Sequence, residues 1–343
     1  MFQIHEMQIA DLILHHFSQE SIHEKISHET IEIDDEVDGA VLLHLFTKPF
    51  MKPQSTYNFH HEVDIDFNVL QKLTQSLWEE DLSFVEYSQK AFTHLKEVSE
   101  HPNIKDGDFF VIRFKNLLLN DTHRQAIGLY KVEQMESFLT TDWKDTRQAH
   151  IALQQGIHEG KLDKACLIVD LPSGPELYII DQNKEEAAYW KHDFIQVELK
   201  NDHYNQTMQT LVLTQHFIKE QFPHEFNVER VDQIDLMNKS MDYFKSADTF
   251  KQEEFEQAVL QDEHLITSYR NFQEQTNQGQ GWTFEDDFVM VPEAVKKNQR
   301  FYKSIIKLDK NFHIYVHGNP EMIEQGEDDD GRRFYKLYFE EEH

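Results

Sequence analysis

Six cations crowd into one stretch of an acidic chain. Lys296, Lys297, Arg300, Lys303, Lys307 and Lys310 stand against Asp309 alone, six positive side chains and one negative, a local +5. Phe301 and Tyr302 interleave with them. Ammonium and guanidinium groups grip phosphates, and flat rings stack on bases. Cations mixed with aromatics therefore point to nucleic acid. The competing reading is a solvated helix face paired to acidic neighbours, the usual fate of a charge run. A second scatter, Arg113, Lys115, Arg124 and Lys131, forms a patch only if the fold gathers it.

Other residues with chemical reach are less organised. His60, Glu62 and Asp64 fall at the i, i+2 spacing that puts ligands on one strand face. His313, Tyr315 and His317 alternate with Phe312, Ile314 and Val316 in the same way. Neither set completes a metal site; a polar strand or loop explains the first, and an exposed polar strand face the second. Asp286-Asp287 and Glu327-Asp328-Asp329-Asp330 offer oxygen ligands. Chance clusters are expected among 63 acids, and a solvated acidic loop is the default. The lone Cys166 sits in an apolar run without the positive surroundings a thiolate needs. No phosphate-binding glycine loop and no nucleophile elbow occur. The residues point to a protein that is not an enzyme, with no cofactor and no metal.

The whole chain sets the background. It has 343 residues and a formal charge of −30, and 39% of its residues are hydrophobic. That length fits two or three domains, and that hydrophobic content can fill cores. One cysteine permits no internal disulfide, as expected in a reducing compartment. No apolar run suits a membrane span, and the first residues lack a signal-peptide pattern. A soluble cytoplasmic protein without membrane partners is expected. Net acidity repels polyanions, so DNA contact requires a local patch. Screening beyond roughly 8–10 Å lets such a patch act on its own. The same acidity suits a second role, docking on a basic DNA-associated protein or imitating DNA.

These residues need elements to hold them. Residues 7–17 and 37–50 carry apolar side chains near helical spacing. Ser83 reads as the N-cap of a helix running to about residue 100, with Phe84, Tyr87, Ala91, Phe92 and Leu95 on one side. Strands are expected at 109–114, 126–135, 165–169 and 176–181, with a short one within 190–199. Consecutive strands with short connections favour an antiparallel sheet. From 203 the pattern turns helical, with one helix stopping before Pro223 and others near 231–244, 250–260 and 264–272. Strands return at 304–308, 312–317 and 334–339, expected to pair together. The fold class is α+β. Residues 1–200 form a sheet-containing domain, and 201–343 a helical region closed by a small antiparallel sheet.

The order of segments resembles the bacterial 37-kDa nucleoid-associated protein family. Asp106-Gly107-Asp108-Phe109-Phe110-Val111-Ile112 and Ala126-Ile127-Gly128-Leu129-Tyr130-Lys131 are similar to its central strand pair. Lys164-Ala165-Cys166-Leu167-Ile168-Val169 and the aromatics Tyr189, Trp190 and Phe194 are similar to the family's next strand and its aromatic pair. The stretch from Ile305 through Phe312-His313-Ile314-Tyr315-Val316-His317-Gly318-Asn319-Pro320 resembles its C-terminal hairpin, closing near Phe334 to Phe339. The resemblance implies a cytoplasmic, nucleoid-located protein that binds duplex DNA or DNA-bound proteins. It supplies no catalytic residues, and a homodimer stays open.

Overall fold

The computed structural model describes residues 6–33, 36–52, 54–99, 101, 104–119, 121–145, 148–158, 162–181, 189–280, 282–302, 305–316 and 322–341. Two compact units emerge, Met1–Lys200 and Asn201–His343.

The first unit carries strands β1 (Gln8–Phe17), β2 (Thr56–Phe59), β3 (Gly107–Leu119), β4 (Thr122–Val132), β5 (Glu136–Asp145), β6 (Gln148–Gly156), β7 (Lys164–Val169), β8 (Glu176–Asp181) and β9 (Val197–Leu199). Its helices are α1 (Glu36–Thr47), α2 (Val69–Trp78) and α3 (Phe84–Glu97). Seven strands form one sheet in the order β1-β3-β4-β7-β8-β2-β9, with antiparallel pairing throughout. The α+β expectation holds.

Both faces of this sheet are covered. Phe109, Val111, Ile127, Leu129, Cys166 and Ile168 pack under α2 and α3. Phe110, Ile112, Phe114, Tyr130 and Leu167 pack with Phe46 of α1 on the other side. Strands buried on both faces lose their two-residue alternation. That is why 7–17, read as helical, is strand β1: Leu12 joins one core and Ile13 and Phe17 the other. Gly107 is the first residue of β3. A Cβ there would sit 2.3 Å from the Val132 carbonyl oxygen, so only glycine allows this approach.

Helix α3 starts where its cap directs. The Ser83 hydroxyl accepts from the Glu86 backbone N–H, and the Glu86 carboxylate accepts from the Ser83 N–H. All five apolar residues expected on its inner face are buried. Ser83→Ala is expected to cost about 1 kcal/mol of first-unit stability, measurable by urea titration. An unchanged midpoint would mean the cap does not set the helix start.

Two features of this unit differ from expectation. Residues 190–195 form a π-helical segment burying Trp190 and Phe194, leaving only β9 as strand. Strands β5 and β6 make a separate two-stranded hairpin that the pattern did not reveal, with Leu139, Trp143, Ile151 and Leu153 exposed.

The second unit contains α4 (His203–His216), α5 (Phe222–Glu225), α6 (Arg230–Ser246), β10 (Thr249–Lys251), α7 (Gln252–Phe255), α8 (Glu263–Gln280), β11 (Asp287–Val289) and α9 (Pro292–Asn298). Two hairpins end it: β12 (Ile305–Leu308) with β13 (Phe312–Tyr315), and β14 (Ile323–Glu327) with β15 (Arg333–Leu337). Phe217, Phe244, Phe255, Tyr269 and Tyr302 anchor its core. The helical run does not stop before Pro223. A π-helical segment, Phe217–Gln221, links α4 to α5, and Pro223 occupies the first turn of α5. The run is continuous at this point, so Pro223 withholds one N–H from the preceding turn, and the helix ends soon after, at Glu225. The last strand pairs with β14 rather than with β12 and β13, because a short turn makes that partner local.

Candidate nucleic-acid interface

The basic stretch crosses several elements instead of lining one helix face. Lys296 and Lys297 lie on α9, Arg300 in the 3-10 turn Gln299–Tyr302, Lys307 on β12 and Lys310 in the turn to β13. Lys303 lies outside the described residues. The five described cations are all exposed. The expected alternative had acidic neighbours paired to them. Among the described residues, no carboxylate lies within 4 Å of Lys296, Arg300, Lys307 or Lys310.

Local packing explains the exposure. Ala294, Val295 and Asn298 take the inner side of α9, leaving Lys296 and Lys297 outward. Ile306, Leu308 and Ile314 of the β12–β13 hairpin pack on Val231 and Ile234 of α6. Strand alternation then turns Lys307 and its cross-strand partner His313 to solvent. The two aromatics separate. Tyr302 is buried, its hydroxyl donating to the Leu211 carbonyl at 2.5 Å. Phe301 stays 45% exposed, with the Arg300 guanidinium 4.6 Å from its ring centre. Only Phe301 of this pair can meet a base.

The fold adds cations that the sequence reading missed. Lys219, from the π-helical segment, donates to the Phe301 carbonyl at 3.4 Å. Burial lowers its pKa, and the charge of Arg230 at the start of α6 lowers it further. Lys297 shows the same pattern, with burial first and then Arg300. Each of these two lysines thus feels a like charge, and for Lys219 Glu220 opposes it. Lys219 and Arg230 lie 66 or more positions upstream of Lys296, so no local charge count links them.

The other candidates disperse. His60 comes just after the end of β2 and faces Glu198 at 3.2 Å, while Asp64 caps a 3-10 turn by accepting from the Asp66 N–H. They share no strand face with the exposed Glu62; residues 60–64 form a polar loop, the alternative to a strand. His313 lies on the exposed face of β13, and His317 lies outside the described residues. Among the described residues, no three His, Cys, Asp or Glu side chains gather as a metal site. Cys166 is fully buried in β7, and burial raises its thiol pKa. Of the 327–330 run, Glu327 ends β14 and residues 328–330 lie in the β14–β15 turn, where Asp328 accepts from the backbone N–H groups of Asp330 and Arg332.

The family described as nucleoid-associated protein YejK matches residues 13–331 of the 343-residue chain. The chain belongs to that family. The family match starts inside β1 and ends in the β14–β15 turn, so it spans both units and the whole basic stretch. No curated protein and no solved structure matches. Among the described residues, no helix is long and apolar enough to cross a membrane.

Proposed function

We propose that this nucleoid-associated protein is non-enzymatic and holds duplex DNA through its phosphates, with little sequence preference. Lys296, Lys297, Arg300, Lys307 and Lys310 make the contacts, with Lys303 from the same stretch and Lys219 and Arg230 beside it. The observation that carries this reading is a set of exposed cations, four of them without a carboxylate within 4 Å among the described residues, inside a chain of charge −30. Phosphate contacts position a protein without reading bases, so specificity is weak. Such a protein works in the cytoplasm on the nucleoid.

Salt dependence tests this directly. Neutralising five to six phosphates gives a slope of log affinity against log salt of roughly −5. Arg300→Glu combined with Lys307→Glu is expected to flatten that slope by about 2 and to weaken binding at least tenfold. Fluorescence anisotropy with a labelled duplex across a salt series reads both. Absence of binding at low salt, or an unchanged slope, overturns the proposal. So does a pull-down in which every DNA-associated partner survives nuclease treatment.

A further inference from the structure

The N-terminal scatter of cations partly converges. Arg113, Lys115, Asn116, His123, Arg124 and Asp170 line an open cleft of about 570 Å³ on the first unit. Two bulges shape it. In β1, Ala10 is an extra residue between the pairs Ile9↔Phe114 and Asp11↔Arg113. In β3, Lys115 and Asn116 together oppose the single Gln125, with Asn116 in the left-handed region at φ 58°. Bulges at the same level in neighbouring strands bend the sheet and re-aim side chains, as they do beside binding sites. The backbone N–H of Asp170 then bonds to the Gln125 carbonyl at 3.0 Å, placing the residue after β7 at the cleft wall.

The charges in the cleft are unevenly satisfied. Arg113 is held by Asp11, its Nε donating to Oδ2 at 2.6 Å. His123 faces Glu6 at 3.4 Å. Lys115 and Arg124 have no carboxylate within 4 Å among the described residues. The Arg124 Nε is buried without a hydrogen-bond acceptor. Asp170 shares the cleft with Arg124, and burial raises its pKa while Arg124 pulls it back. A buried guanidinium N–H without an acceptor is costly, and an anion seated there satisfies it.

We infer that this cleft binds a terminal phosphate group, held by Arg124 and Lys115 at the paired bulges of β1 and β3. Two cations without a carboxylate within 4 Å among the described residues, set against Asp170 in the cleft wall, favour a phosphate monoester, which brings more charge and more free acceptor oxygens than a phosphodiester. The cleft is lined by residues of the first unit, and none of the 296–310 cations belongs to it. Its volume admits either inorganic phosphate or the phosphate end of a nucleotide-sized molecule.

Calorimetric titration of the full chain with inorganic phosphate, a nucleoside 5′-monophosphate and the unphosphorylated nucleoside tests this. Phosphate or the monophosphate is expected to bind with Kd of about 1 mM or tighter. The nucleoside alone is expected not to bind. Equal affinity assigns the site to free phosphate; tighter binding of the monophosphate assigns it to a phosphorylated metabolite. Arg124→Gln and, separately, the exposed Lys115→Gln are each expected to weaken binding about tenfold. The second variant serves if the first disturbs folding. No binding of either phosphate species, or binding unchanged in both variants, overturns the inference.

Discussion

Replacing Glu133 with alanine is expected to destabilise the first unit by about 3–5 kcal/mol. The reason lies with its partner. Lys131 is fully buried at the end of β4, and its ammonium donates to the Lys105 carbonyl at 2.6 Å, to Glu133 at 3.0 Å and to the Tyr189 hydroxyl at 3.2 Å. The Phe17 ring lies 4.6 Å away. Burial lowers the Lys131 pKa, Glu133 opposes that, and Lys164, its cross-strand partner, adds a like charge. Without Glu133 the ammonium keeps two neutral acceptors and loses the one anion bonded to it among the described residues. The double change Lys131→Met with Glu133→Gln removes the charge together with its counter-charge. It is expected to recover most of the loss, because a well-packed apolar substitute for a buried pair is often neutral. Thermal unfolding should show the single variant lower by roughly 10 °C. A drop below about 1 kcal/mol would mean that the carbonyl and hydroxyl suffice.

The elements that were legible in the sequence are those whose signal is local. Ser83 and Glu86 define the start of α3 within four residues, and its inner face obeys helical spacing. The central strands announced themselves as β-branched and aromatic runs. Strand β1 was misread because burial on both faces removes alternation, and spacing alone then mimics a helix. The β5–β6 hairpin was missed because its apolar residues remain exposed and so obey no core-facing pattern.

The same division governs the candidate sites. Residues 296–310 stood out because their charges are close in sequence, yet Lys219 reaches the Phe301 carbonyl and feels Arg230 only through tertiary packing. Tyr302 looked like a base-stacking ring and is core, a distinction set by the Leu211 carbonyl that its hydroxyl reaches. In the N-terminal scatter, Arg113, Lys115 and Arg124 meet at two bulges that no residue pattern advertises. Lys131 does not join them. It sits seven residues further along the strand from Arg124, roughly 23 Å at strand rise.

Replacing His15 with phenylalanine is expected to remove much of the first unit's sensitivity to mild acid. The His15 ring is fully buried in β1, 5.0 Å from Phe92 and stacked on it. Its Nδ1 accepts from the Ser27 backbone N–H at 3.1 Å, and its Nε2 has no hydrogen-bond partner among the described residues. Protonating Nδ1 would set two donors face to face and place a charge among aromatic rings. Burial, and then the charge of His28, lower the pKa from 6.5 to about 4. The unfolded chain therefore binds the proton more readily than the native one. Stability from the neutral ring is fully present above pH 6.5 and is lost as pH falls towards 4, on the order of 2–3 kcal/mol. His94, whose pKa burial also lowers, adds in the same direction. Relief of repulsion in a chain of charge −30 works against this trend, so the informative quantity is the difference between variants. Phenylalanine keeps the stack with Phe92 but leaves the Ser27 N–H without its acceptor. His15→Phe is thus expected to be about 1 kcal/mol less stable at pH 7 and to lose less on going to pH 4.5. Urea titrations of both proteins at the two pH values give that double difference. Parallel losses would place the acid sensitivity elsewhere in the unit.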